Sequence, residues 1–370
     1  MTATALPTVS GAAARIVGLD LARFVAIVGM MGGHLQLGAG PAWTDVPFSG
    51  FPSTLFAVLG GISAVLATRA YTERGEHLAA AVSLAARGLV VAAIGALLSL
   101  TPTFVIVVLV YFGVGLILLA PLLRLPIPAQ AAMAAVLAGG GPVLNVTVRD
   151  ALGNPDPEHI DLRSPLHAAA SVLFTGTYPV VTWLVYLLVG VILGRLVVGA
   201  VADGRTRIVA LRIAIVGAVV AAAAGIADAV AGRTEPVTQG DGAPLGTGWR
   251  FFADASTHTG SLGDLARTGG VACLVVGLLI LATARLDRRH TLPEILRPLA
   301  AAGAAPLTLY SAHVLVTAVA PVGGTLVYLL TVLGAVGVGA VLLATRRRGP
   351  LERLVSAAAR TAGNGVRRIA

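Results

Sequence analysis

Residues 18–34 read Gly18-Leu-Asp20-Leu-Ala-Arg23-Phe-Val-Ala-Ile-Val-Gly-Met-Met-Gly-Gly-His34. Between Arg23 and His34 there is no ionisable side chain. The apolar character extends over 17–38, close to the roughly 20 residues that cross a bilayer as a helix. An ionisable group inside such a span is costly to place, which makes Asp20, Arg23 and His34 candidates for function. Helical geometry tests whether they belong together. Asp20 and Arg23 are one turn apart on the same side. Arg23 and His34 are eleven residues apart, three turns to within about 20°. All three therefore share a face, with His34 about 16 Å beyond Arg23 along the axis. The ordinary reading of Asp20 and Arg23 is a helix-start ion pair and topology signal. That of His34 is a buried imidazole bonded to a backbone carbonyl.

Nine further apolar segments follow, near 52–71, 79–99, 103–122, 127–146, 168–197, 208–231, 266–284, 298–319 and 322–345. Gly176 and Pro179 are positioned to break the long sixth span of the chain. Ten spans predict an all-α, polytopic transmembrane helical bundle over 15–345. A disordered N-terminus, 1–14, precedes it and an arginine-rich tail, 346–370, follows it. Composition agrees: 56% of residues are hydrophobic and 12% charged, where soluble domains carry about 25% charged. A soluble nuclease or dehydrogenase is thereby excluded. The net charge of +9 comes from 26 basic residues, all of them Arg. They alternate with the crossings: only Arg149, Arg163, Arg233, Arg250 and Arg267 fall on the acidic side. The positive-inside rule then puts both termini in the cytoplasm and makes the chain a multi-pass protein of the plasma membrane. Basic residues scattered over short loops and a tail argue against nucleic acid as a partner and for anionic lipid headgroups.

A second polar face lies in the ninth span: Pro306, Tyr310, His313 and Thr317, at offsets of four, seven and eleven. His313 falls at a depth similar to that of His34, so two imidazoles from different helices can meet, and histidine is the usual general base near neutral pH. An interhelical hydrogen bond that packs the bundle is the competing reading. His77, His159 and His290 lie in charged loops. His258 sits in an aromatic external loop, near 232–265, with Trp249, Phe251 and Phe252; that loop lies at the membrane interface or covers a site. The single Cys273 rules out an internal disulfide and a cysteine-based zinc site. No P-loop, nucleophile elbow, dinucleotide fingerprint or metal-binding histidine spacing is present.

Four stretches together resemble a known group. Arg15-Ile-Val-Gly-Leu-Asp20-Leu-Ala-Arg23-Phe-Val-Ala-Ile is similar to the first helix of the YeiB-like bacterial membrane proteins, relatives of the heparan-alpha-glucosaminide N-acetyltransferase catalytic domain. Tyr178-Pro179, Trp183-x-x-Tyr186 and Gly190…Gly194-Arg195 resemble that group's middle helix. Pro306-Leu-Thr308-Leu-Tyr310-Ser-Ala-His313 resembles a late helix, and Gly349-Pro350-Leu351-Glu352 a cytoplasmic signature. The Arg23-to-His34 spacing also resembles the acyltransferase type three membrane family. One departure matters. The glucosaminide branch places its important histidine in the external loop after the first helix, and residues 35–52 here contain none.

The resemblance implies a membrane acyltransferase that takes an acyl group, acetyl in the first instance, from cytoplasmic acyl-CoA. The acceptor would be a hydroxyl or amine of an envelope glycan or lipid on the outer side. His34, with His313 as neighbour, would be the base or transient acyl carrier. Asp20, Arg23, Arg87 and Arg195 would hold the donor, because phosphates need cations. Tyr178, Trp183, Tyr310 and His258 would line the substrate site. No bound cofactor or metal is expected. The alternatives are a transporter or flippase, with the same polar stripe as a substrate or proton path, and an assembly protein in which those residues only pack.

Overall fold

The computed structural model describes residues 16–41, 43, 45–232, 249–289, 292–319 and 323–367. Residues 1–14, expected to be disordered, lie outside them. Among the described residues there are helices and no strand. The principal ones are α1 Val17–Leu35, α2 Phe51–Thr72, α3 His77–Leu98, α4 Leu109–Leu119, α5 Ile127–Ala151, α6 Val180–Ala202, α7 Thr206–Ala231, α8 Leu262–Arg289, α9 Leu296–Gly303, α10 Pro306–Val319, α11 Thr325–Ala344 and α12 Pro350–Arg367. Eight are long and apolar enough to cross a membrane, and α9 with α10 makes a ninth if that pair is one span. In lipid every backbone polar group needs an internal partner, which is why apolar sequence of this length becomes helix.

Three segments differ from a plain span for local reasons. The stretch 103–122 becomes helical only at Leu109, after Pro102 and an irregular run. That run is buried, with Val105, Val107 and Val108 each below 9% exposed, and its donors are met by side chains. Val105 N–H donates to Thr103 Oγ1, and Val108 N–H to the Tyr310 hydroxyl. The span expected over 168–197 is broken at Gly176–Pro179, and α6 starts only at Val180. The ninth span bends by 84° between α9 and α10, just before Pro306. Proline lacks the donor that would continue the helix and disfavours helical geometry in the residue before it. Elsewhere α5 runs on to Ala151, five residues beyond the span expected over 127–146.

Small residues bring the helices together. A Cβ on Gly61 of α2 would sit 2.8 Å from the Gly190 Cα of α6, so only paired glycines permit that approach. Gly217 of α7 and Gly270 of α8 make a second such crossing. The expected arginine-rich tail contains an amphipathic helix. Val355, Ala359 and Gly363 of α12 are buried, while Arg353, Arg360 and Arg367 are exposed. It packs on α3, tied by a Tyr71 hydroxyl donating to Asn364 Oδ1 at 3.1 Å and by an Arg367–Glu76 ion pair at 3.0 Å.

Candidate active site

His34 occupies the last turn of α1, and His313 the middle of α10. Their rings meet: His34 Nδ1 lies 3.0 Å from His313 Nε2. The rings are parallel to within 6°, with centroids 5.2 Å apart. That separation exceeds the nitrogen–nitrogen distance by about two ring radii. The imidazoles are therefore edge to edge in one plane, joined by a hydrogen bond, and not face to face. One nitrogen donates and the other accepts, so the pair holds a single proton between them. His34 is half-buried and borders a cavity of about 540 Å³; His313 is 2% exposed and sits behind it. With its Nδ1 engaged, His34 keeps Nε2 for an occupant of the cavity. His313 Nδ1 is buried and has no hydrogen-bond partner among the described residues.

The walls of this cavity also carry Tyr178, His258 and Tyr310, with Ser49, Thr257 and Glu158. Tyr178 is held edge-on by Trp183, His258 and Tyr111 at centroid distances of 4.9, 5.6 and 5.7 Å. Trp183 does not reach the main cavity. It lines a narrow pocket of about 10 Å³ beside it, together with Thr54, Thr182, Asp264 and Thr268. His258 borders both spaces and has φ of +64°, an unusual conformation for a residue other than glycine. The turn that holds it is built on Ser261, whose Oγ accepts from Asp264 N–H at 3.0 Å, while the Asp264 carboxylate accepts from Gly260 N–H at 3.1 Å. Ser261 also donates to the Asp254 carbonyl. Ser-x-x-Asp ahead of an apolar run is a readable helix-start signature. Sequence reasoning passed over it, and with it Asp264. Burial lowers the His258 imidazole to about 4, so it is neutral at physiological pH.

Asp20 and Arg23 form an ion pair at 2.6 Å, and Arg23 also donates to Ser63 Oγ at 3.0 Å. Asp20 is buried and Arg23 half-buried, so the pair faces into the bundle. Arg23 and Arg87 share the wall of a second cavity, of about 100 Å³, otherwise mostly apolar and closed at one side by Glu352 and Val355 of α12. Among the described residues no hydrogen bond or ion pair engages the Arg87 guanidinium. Arg195 is not brought to this cavity; it donates to the carbonyls of Leu123 and Leu125 at the end of the turn Ala120–Arg124. Among the described residues none lines both the Arg23 cavity and the His34 cavity. Leu109 and Leu307 border the first, Val108 and Tyr310 the second. Glu352, the last residue of Gly349-Pro350-Leu351-Glu352, has a local structural role. Its carboxylate accepts from Leu307 N–H at 2.7 Å, Thr308 N–H at 3.0 Å and the Thr308 hydroxyl at 2.5 Å, capping the start of α10.

A bundle of apolar helices with an imidazole pair on a cavity wall and an arginine-lined cavity beyond it defines a multi-pass membrane protein with a built polar site. The family is then given by sequence comparison. The family model described as heparan-alpha-glucosaminide N-acetyltransferase, catalytic, matches residues 15–223, more than half of the chain, and the protein belongs to that family. The match covers His34, Asp20, Arg23, Arg87, Tyr178, Trp183 and Arg195; His258, Tyr310 and His313 lie beyond it. No curated protein matches the chain.

Proposed function

We propose that the protein is an integral-membrane acyltransferase that moves an acyl group, acetyl in the first instance, from acyl-CoA to a hydroxyl or amine of an envelope glycan or lipid. The observation that carries this is the His34–His313 pair at 3.0 Å on the wall of a large cavity, in a chain of an N-acetyltransferase catalytic family. That combination favours transfer over transport. In the productive tautomer His34 Nδ1–H donates to His313, which leaves the Nε2 lone pair facing the cavity. The acceptor loses its proton to Nε2 as its oxygen or nitrogen bonds to the acyl carbon. The C–S bond of the thioester then breaks, and the departing thiolate takes the proton back from the imidazolium. His313 stabilises the charge that His34 carries in between, the orienting role of a third group behind a base.

On this reading Arg23 and Arg87 bind donor phosphate, and the thioester arm extends past Tyr310 toward His34. Arg195 is left out of the donor set because backbone carbonyls engage it. Tyr178, Tyr310 and His258 shape the acceptor side. We further read the chain as a YeiB-like member of the family, supported by Gly349-Pro-Leu-Glu352 beyond the matched region, and as a protein of the bacterial plasma membrane with cytoplasmic termini. The test is incorporation of label from radioactive acetyl-CoA into acceptors by purified protein in lipid vesicles. His34→Ala should lose at least about 100-fold in rate, the usual cost of removing a general base. Unchanged incorporation in that variant would remove His34 from the chemistry.

A further inference from the structure

A third space lies on the far side of the narrow pocket. It is a groove of about 560 Å³ between α6, α7 and α8, with almost wholly apolar walls. Along α6 it runs from Val185 to Leu196, eleven residues or about 16 Å, roughly half the hydrocarbon thickness of a bilayer. Its margins face outward: Val216 is 61% exposed and Leu196 43%. At its inner end it meets the narrow pocket, and Tyr186 and Leu265 line both. The narrow pocket in turn shares Gly50, Ser53, Thr177 and His258 with the His34 cavity. Membrane, groove, narrow pocket and His34 cavity thus form one series. Among the described residues, the two side chains shared by groove and narrow pocket, which form the partition between them, are those of Tyr186 and Leu265. Tyr186 is held there by its hydroxyl, 2.8 Å from Thr268 Oγ1, and Thr268 donates onward to the Asp264 carbonyl.

The chemistry changes sharply across that partition. Outside it the walls are hydrocarbon apart from Arg212 of α7 and the Cys273 thiol. Inside stand Thr54, Thr182, Thr268, Asp264 and His258, hydroxyl, carboxyl and imidazole groups that line a polar space, with Thr182, Thr268 and Asp264 also held by the backbone. A molecule matched to both sides has a hydrocarbon tail and a hydroxylated or amine-bearing head. We propose that the acceptor is such a membrane lipid: its tail seats in the α6–α7–α8 groove, and its head reaches His34 laterally, past Tyr186 and Leu265. This rests on the transfer reading above and selects the lipid from its two acceptor classes. The pocket behind the partition holds about one water as it stands, so passage requires the Tyr186 hydroxyl to leave Thr268 and the ring to swing.

Gly269 offers a clean way to block the groove. A Cβ there would make ordinary contact with the Tyr186 ring, at 3.4 and 3.6 Å, so alanine fits and a larger side chain fills the space. Two glucosides serve as probes, one with a methyl and one with a dodecyl aglycone, the latter also in a form with a photoreactive diazirine near the tail end. Photolabelling in phosphatidylcholine vesicles reads the seat independently of any chemistry. Label should concentrate on residues 262–273 and 209–220 and should drop about tenfold or more in Gly269→Phe, because each methylene denied the groove forfeits a several-fold share of affinity. Val216→Trp, which blocks from the lipid side and leaves helix packing intact, should act alike, and Gly269→Ala should leave labelling unchanged. Label spread evenly, with as much on the lipid-facing 325–344 helix, would overturn the proposal. In the transfer assay the dodecyl glucoside should be acylated faster than the methyl one, and Gly269→Phe should erase only that advantage. Equal acylation of both would overturn the lateral route and leave transfer standing. Labelled groove residues with no acylation of either probe would overturn the transfer reading itself.

Discussion

His34 and His313 are the same side chain placed in two environments, and the difference assigns their parts. His34 borders the cavity, whereas His313 is buried and is not among the residues that line it. His313→Ala should therefore lower acyl transfer less than the change at His34 and should act mainly on kcat, since it removes an orienting partner and not a binding contact. Steady-state kinetics at equal protein concentration checks this. An effect on KM alone would place His313 in acceptor binding instead. His258 supports a separate expectation about pH. Its burial lowers the folded-state value to about 4, from 6.5 for a free imidazole. As pH falls below 6.5 the unfolded chain binds this proton first, so stability is complete above 6.5, declines toward 4 and is flat below that. His258→Asn, which tolerates positive φ, should flatten that part of a plot of Tm against pH. An unchanged slope would mean that other groups set it.

The helix α10 illustrates how an element that carries site residues is positioned from outside itself. Pro306 starts it after the bend, and helix starts leave N–H groups without partners. Here those donors are met by Glu352, forty-four residues downstream of Thr308, on a helix that packs against α3. A carboxylate at a helix start also meets the positive end of the helix dipole. Glu352→Ala should cost about 1–3 kcal/mol, the penalty for leaving buried donors unmet, and Glu352→Gln distinctly less, because an amide oxygen still accepts. Thermal unfolding in detergent measures both. Since Tyr310 and His313 ride on α10, the alanine variant should also lose transfer activity out of proportion to its folded fraction. The Gly349-Pro350-Leu351-Glu352 stretch is thus a structural device beneath the site: a proline-started helix whose first turn delivers a cap to its neighbour.

Among the described residues, eight of the ten apolar segments of the sequence contain a helix long and apolar enough to cross a membrane, the bent α9–α10 pair makes up to a ninth, and 103–122 yields only the short α4. Arginine concentrated on one side of the alternating apolar segments leads us to expect both ends of the chain in the cytoplasm. Single cysteines, introduced after Cys273 is replaced by serine, test this with a membrane-impermeant maleimide on intact cells. Asp156→Cys should label from outside. Arg347→Cys should label only after permeabilisation, and external labelling at 347 would invert the topology.

Much of this was legible in the chain because lipid leaves backbone few choices. An apolar run must satisfy its own peptide groups, so it becomes helix, and helical periodicity alone puts Asp20, Arg23 and His34 on one face. Equal depth made a meeting of His34 with His313 foreseeable. Their 3.0 Å contact came from the packing of α1 against the bent pair. Other features depend on partners far away in sequence, to which local pattern is blind. Residues 103–108 look apolar enough to be helix, yet stay irregular because Thr103 and Tyr310 meet their backbone. Arg195 resembles a phosphate ligand by charge, and the carbonyls of Leu123 and Leu125 occupy it. Asp264 lies within the stretch read as an external loop, near 232–265, yet it stands in the first turn of α8 and folding buries it beside His258. Period and hydropathy act over a few turns of one helix. The partners of a buried polar group are chosen only when helices close on one another, because in a dry interior each such group must be met by whatever the neighbouring helix presents.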